Sequence, residues 1–180
     1  NFFPSISKEQ VTGALKGIGY SEAGAELVAN LCCLKNCLPQ GSPASPVLSN
    51  LVMKQIDIKL TDLANFHSLH VSRYADDIVF SGKNDFLEIL ATEIDDIFLD
   101  TGLELNKDKF YLADARKGQR LKVHGLLVKE DNVSLTKGYK NKIRAYKHML
   151  SNGKVKTEDV PRLTGHVTYS THINESPKVK

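Results

Sequence analysis

Apolar residues recur at helical spacing through the first third of the chain, then alternate with polar ones at the spacing of strands. Ser7-Lys8-Glu9-Gln10 has the Ser-x-x-Gln form of a capping box. It opens a stretch with Val11, Leu15 and Ile18 at helical spacing, which predicts a helix ending near Gly17 or Gly19. Ser21 can cap a second helix with apolar positions Leu27, Val28, Leu31 and Leu34. The run LPQGSPASPVLSN reads as a Pro/Gly-rich turn into a third helix, with Val47, Leu48, Leu51, Val52 and Ile56 on its buried side. VSRYADDIVFSG, residues 71–82, follows as a pair of strands around a tight turn.

Beyond Gly82, the stripe Phe86, Leu90, Ile94, Ile97 and Phe98 predicts a helix packed against a sheet. LELNKDKFYLAD and LKVHGLLVKEDNVSL read as short strands, the latter with a turn at Asp131-Asn132. From Gly138 the chain turns helical and basic (KNKIRAYKHML), breaks at Asn152-Gly153 and restarts near Val160. The boundary between a β-rich α+β part and an all-helical lobe is expected between about residues 128 and 138. No internal repeat is visible.

Composition narrows the class. With 180 residues, 41% apolar and 25% charged, the chain fits one globular domain or two small lobes and does not fit disorder. No apolar run approaches the roughly 18 residues of a membrane span, and the amino end lacks the features of a signal peptide, so a soluble cytoplasmic protein without a membrane partner is expected. Cys32, Cys33 and Cys37 have no partner at zinc-ligand spacing and read as reduced thiols. Charge is uneven: residues 1–100 hold 7 basic and 13 acidic side chains, net −6, and residues 101–180 hold 17 and 8, net +9. The carboxyl part is therefore the expected polyanion surface, against the plainer reading of a solvated basic face. NFFPSI looks like the end of a strand that begins before Asn1, so a larger parent protein is expected.

The hairpin carries the chemistry. Val71, Ile78, Val79 and Phe80 suit strands, and Ala75-Asp76-Asp77 suits a two- or three-residue turn. A plain Asx turn would account for a lone Asp-Asp. However, neighbouring carboxylates repel unless a cation compensates, and hard divalent ions are the usual compensation. A pair of such ions about 4 Å apart can activate a hydroxyl and stabilise a leaving oxygen in phosphoryl transfer.

Arg73-Tyr74-Ala75-Asp76-Asp77 resembles the YADD box of reverse transcriptases, and it does not stand alone. Leu38-Pro39-Gln40-Gly41-Ser42-Pro43 resembles their LPQG box, and Gly102-Leu103-Glu104-Leu105-Asn106-Lys107-Asp108-Lys109 resembles their GLxLNxxK box. Phe2-Phe3-Pro4-Ser5-Ile6 resembles the tail of their first palm motif. The wording FFPSI, RYADDIVFSG and RLTGHVTYSTHIN is most similar to the bacterial retron-type group. The resemblance implies an α+β fold: a right-hand polymerase palm of antiparallel sheet on helices (1–132, first motif truncated, fingers missing), then a small helical thumb (133–180). It implies RNA-directed DNA synthesis from dNTPs with two Mg2+ ions, Mn2+ being an alternative. The template would be a structured non-coding RNA, held as an RNA/DNA hybrid, often in anti-phage defence and with an effector protein as a further partner.

The same resemblance assigns roles. Asp76 and Asp77 are the implied metal-binding and catalytic carboxylates, Asp76 ligating directly and Asp77 nearer the primer end. Phe3 matches the aromatic position under the incoming sugar, where a rigid ring selects against a 2′-hydroxyl; a core Phe beside Phe2 is the alternative. Gln40 and Gly41 match the nucleotide-contacting box. Lys109 matches the lysine that protonates departing pyrophosphate, with Lys107 competing and a solvated turn lysine as the plain reading. Tyr74 is expected under the primer or hairpin. Val123-His124-Gly125 stands at the primer-grip strand. Lys140, Arg144, Lys147 and His148, with Tyr146, are expected to face the template-primer through phosphates and sugars.

The sequence also departs from the pattern. The first motif's metal-binding Asp and the fingers would lie before Asn1, so the 180-residue piece is expected to be inactive alone. His124 stands where retron enzymes have Thr, leaving room for a related defence enzyme with another priming mode, and Ala44 stands where Thr is common. Alternatives are a catalytically silent RNA- or protein-binding module and a group II intron-type enzyme. An RNA-dependent RNA polymerase conflicts with the bulky Phe3.

Overall fold

The computed structural model describes residues 1–83, 89–129 and 132–175. Two compact units emerge, Asn1–Lys109 and Phe110–Lys180. The first holds α1 (Phe2–Ser5), α2 (Lys8–Gly17), α3 (Glu22–Cys32), α4 (Ser45–Phe66), strands β1 (His70–Tyr74) and β2 (Asp77–Ser81), and α5 (Ile89–Phe98). The second holds β3 (Lys122–Val123), β4 (Leu126–Val128), β5 (Val133–Leu135), α6 (Lys137–Ser151) and α7 (Val160–Glu175). The fold is α+β, with antiparallel pairing only among the described strands. The compact division falls ahead of residues 128–138, because β3 and β4 pair with β5, which packs on α7.

Local sequence sets the helix starts. The Ser7 hydroxyl accepts from the Gln10 amide and the Gln10 side chain accepts from the Ser7 amide, completing the capping box. Ser21 caps α3 through the Gly24 amide, and Thr136 caps α6 through that of Tyr139. Pro46 stands in the first turn of α4, where its missing N–H costs nothing.

The first unit's core joins Ile6, Val11, Leu15, Ala25, Ala29 and Leu38 to Leu48, Met53, Ile56 and Leu60 of α4 and to Phe98 and Leu103. The buried stripe of α4 runs through Ser45, Leu48, Ser49, Met53, Ile56, Leu60 and Ala64. Val47, expected inside, is 63% exposed because this stripe leaves it on the other side of the helix, and Leu51 and Val52 are half-buried. On α3 the buried positions are the small Ala25 and Ala29, while Leu27 and Leu31, and Leu34 just beyond the helix, are exposed.

Three further expectations are corrected. Phe2–Ser5 is a helical turn and not the end of a strand, with the Ile6 amide donating to the Phe3 carbonyl. LELNKDKFYLAD forms no strand: the Asn106 side chain accepts from the Asp108 amide and starts a 3-10 turn at Lys107–Lys109, a local bond that competes with a ladder. Phe110, Tyr111 and Leu112 beyond it are exposed. His124 and Gly125 form the two-residue turn between β3 and β4, not a strand. Phe86 and Asp131 lie outside the described residues. Among the described residues no helix is long and apolar enough to cross a membrane.

Candidate active site

The β1–β2 hairpin pairs Val71 with Phe80 and Tyr74 with Asp77, leaving Ala75-Asp76 as a two-residue turn. Asp76 sits at the tip and Asp77 opens β2; both are exposed, as is Tyr74. Ala75 has φ +52°, the left-handed region that a residue with a Cβ rarely adopts. The hairpin is carried by α4, whose Asp57 accepts from Arg73 Nε and Nη2 at 2.6 Å each. Arg73 also donates to the Ala75 carbonyl at 2.9 Å and to Asn50 Oδ1 at 3.1 Å.

The LPQG box is built at the other end of α4. The buried Ser45 hydroxyl donates to the Pro39 carbonyl at 2.7 Å, and the Ala44 amide donates to Ser42 Oγ. Gly41 has φ +87°, where glycine alone is unstrained, and a Cβ there would meet nothing within 4 Å. Gln40 and Gly41 are thus exposed on an open turn. The Leu38 amide donates to the Ile6 carbonyl, and the Lys8 amide to that of Asn36, which ties this box to the Phe3 segment. Phe3 is half-buried against the core, its ring 5.5 Å from that of Phe2.

Lys109 and Lys107 are both exposed, and the structure distinguishes them. Lys107 Nζ lies 2.8 Å from an Asp95 carboxylate of α5, whereas Lys109 makes no ion pair among the described residues. The Cys33 thiol is pushed up mainly by burial, with Cys32 and Cys37 adding to the effect, and all three cysteines are free thiols. A raised pKa leaves less thiolate, which fits the reduced, unreactive reading.

In the second unit, His124 (φ +48°) and Gly125 (φ +81°) are both left-handed, as a two-residue hairpin of primed type requires. Lys140 and Arg144 line a cleft of about 680 Å³ together with Arg120, Lys129 and Lys137. Sequence spacing on α6 points to the helical members but not to Arg120 and Lys129, which arrive from the β3–β4 region. Lys147 is exposed on α6 outside that cleft. Tyr146 is half-buried, its ring 5.5 Å from that of His166 on α7 and under the Lys142 ammonium at 5.5 Å. His148 is engaged by the Asn152 side chain at 3.0 Å. Asp114, just ahead of the cleft, is held below the usual carboxylate range by hydrogen bonds from the Arg116 side chain and amide.

A divalent cation fits the hairpin tip by donor chemistry, since Asp76 and Asp77 offer adjacent, exposed, hard oxygen ligands. Among the described residues no group of three His, Cys, Asp or Glu side chains gathers at the tip or elsewhere.

Comparison with known proteins decides the family. The reverse transcriptase (RNA-dependent DNA polymerase) family model matches residues 28–152. The chain belongs to the reverse transcriptases. Within this family its relatives are retron-type. It is 31% identical over 175 residues to the retron Ec86 reverse transcriptase of Escherichia coli, covering 97% of this chain and 53% of that protein. It is 32% identical over 166 residues to the retron Ec73 reverse transcriptase of Escherichia coli (86% and 51% covered). It is 28% identical over 186 residues to the retron Mx65 reverse transcriptase of Myxococcus xanthus (93% and 42%). The chain thus spans about half the length of the curated relatives it matches.

Proposed function

We propose that this chain is the palm (1–132) and thumb (133–180) of an RNA-directed DNA polymerase that copies a structured non-coding RNA into DNA. The observation that carries this reading is the β1–β2 hairpin of a reverse transcriptase with two exposed carboxylates, Asp76 and Asp77, adjacent at its tip. Nothing in a bare fold favours two like charges side by side, whereas nucleotidyl transfer does.

In the reaction, the primer's 3′-oxygen forms a bond to the α-phosphorus of a dNTP, the bond to the β-phosphate oxygen breaks, and pyrophosphate leaves. Two Mg2+ ions, or Mn2+, would supply charge neutralisation for both oxygens. Asp76 and Asp77 would hold the ions and so fix the reacting atoms relative to the hairpin. Phe3 lies beneath the sugar and excludes a 2′-hydroxyl. Gln40 and Gly41 let the backbone approach the nucleotide, consistent with the open turn at Gly41. Lys109 donates a proton to the leaving pyrophosphate, a role that Lys107 could fill only after giving up Asp95.

Tyr74, His124 and Gly125 contact the primer. Lys140, Arg144 and Lys147 hold the RNA/DNA hybrid through phosphates, which accords with the basic cleft around the first two. The cytoplasm, a role in anti-phage defence and an effector protein partner complete the proposal, on the strength of the retron relatives alone.

The test is an extension assay on the full parent protein, purified with its co-purifying RNA and supplied with labelled dNTPs and Mg2+. The intact protein is expected to make DNA, and the Asp76→Asn/Asp77→Asn variant to lose incorporation by at least on the order of 10³-fold while keeping RNA. Incorporation unchanged by the double substitution, or absent from the intact protein with RNA still bound, would hand the lead to the silent binding module.

A further inference from the structure

Side chains alternate along β1, and Arg73 shares the inward face of the strand with Val71, which packs on the core. Its side chain is only 9% exposed, so the guanidinium is a charge taken out of water and in need of partners. It has them on two sides. Nε and Nη2 reach Asp57 Oδ1 and Oδ2 at 2.6 Å each, and Nη2 also reaches Asn50 Oδ1 at 3.1 Å, both partners lying on α4. Nη1 turns the other way and donates to the Ala75 carbonyl at 2.9 Å.

That last bond falls on the peptide joining Ala75 to Asp76. Because the peptide is planar, fixing the Ala75 carbonyl also fixes the Asp76 amide, and through it the direction in which the Asp76 side chain leaves the backbone. The turn needs such a constraint. Ala75 is left-handed at φ +52° although it carries a Cβ, and without a tie this peptide would relax to a cheaper conformation.

We propose that Arg73 is a positioning residue for the polymerase reaction: with Asp57 and Asn50 it forms a clamp that holds the Ala75-Asp76 peptide in the orientation aiming the tip carboxylates. The inference rests on the polymerase reading above and extends it to residues that touch neither substrate nor metal. A planar guanidinium is required because it must bind a carboxylate with two parallel N–H groups while a third points away to a carbonyl. An ammonium cannot hold that fork.

The experiment uses the full parent protein with its co-purified RNA and compares Arg73→Lys with the parent. Two readouts are taken: single-nucleotide incorporation as dNTP and Mg2+ are titrated, and amide hydrogen exchange of residues 74–78. The expected result is a kcat lower by about 100-fold with the KM for dNTP within about twofold. Exchange at the turn should rise while the amides of α4 and the retained RNA stay as in the parent. Parent-like kcat and turn exchange in a folded Arg73→Lys protein would overturn the proposal. So would a loss that appears only together with a loss of RNA and of α4 protection, because the pair would then be a general structural prop.

If Arg73→Lys does not fold, Asp57→Asn, which keeps the shape but removes the charge, is read by the same two measurements and the same criteria. Asp76→Asn runs beside them: undiminished incorporation by that variant sinks the polymerase reading, while the exchange data still decide whether the clamp orders the turn.

Discussion

The β1–β2 and β3–β4 hairpins have loops of the same length and fix them by different means. Between β1 and β2 the turn is Ala75-Asp76, its left-handed residue carries a Cβ, and its carbonyl is tied through Arg73 to the preceding helix α4. Between β3 and β4 the turn is His124-Gly125, where glycine accepts positive φ at no steric cost. The first turn has a tertiary tie on its backbone, and the second has glycine at one of its two left-handed positions. A turn that presents two repelling carboxylates cannot depend on local preference alone. A turn presenting an imidazole and bare backbone can.

This contrast can be pressed from its largest expected effect to its smallest. Leu60 is 1% exposed on the α4 face that carries the first hairpin. Leu60→Ala should cost roughly 2–5 kcal/mol by denaturant unfolding. A cost below about 1 kcal/mol would show that the hairpin's support does not depend on packing beneath it. The second unit is expected to act through its basic surface instead. Lys140→Gln/Arg144→Gln should weaken RNA binding on the order of tenfold at moderate salt and lower the salt slope by about two, roughly one per phosphate contact. An unchanged slope would return these residues to a merely solvated face.

At the turns themselves the two regions should differ in the size of the effect. Gly125→Ala is expected to destabilise by about 1–2 kcal/mol, because a Cβ enters the left-handed region although nothing lies within 4 Å to clash with it. Ala75→Gly should change stability by less than about 0.5 kcal/mol, since relief of the left-handed residue is offset by the greater freedom of glycine when unfolded. Thermal unfolding of both variants against the parent checks the pair, and equal losses would erase the distinction between a tied turn and a glycine-bearing one.

Much of this architecture is legible in the sequence where a single residue type does a local job. Ser7 with Gln10, Ser21 and Pro46 mark helix starts, and the alternation around Asp76-Asp77 marks the first hairpin. What escaped depends on particular partners that the pattern of residue types does not name. Val47 belongs to an apolar run, but only the neighbours of α4 decide which side is inside. Asn106 redirects a strand-like stretch through one side-chain bond. The ring contact of Tyr146 with His166, twenty residues on, is not marked by any spacing. For Arg73 a signal was present: it shares the alternation phase of Val71, and a cation on an inward face calls for a buried acceptor. The signal does not say that the acceptor is Asp57, sixteen residues earlier on α4.

Helix α4 runs unbroken from Ser45 to Phe66, with the hydroxyl that anchors the LPQG turn at its first residue and the carboxylate that anchors the acidic hairpin twelve residues on. At 1.5 Å per residue these anchors stand about 18 Å apart along the axis. The helix therefore works as a ruler whose length and phase are set together. One inserted residue between Ser45 and Asp57 would turn the far anchor by about 100° and swing Asp57 away from Arg73, whereas a heptad would restore the phase but lengthen the span by about 10 Å. Neither is harmless, so this stretch should tolerate many exchanges of side chain and almost no change in length.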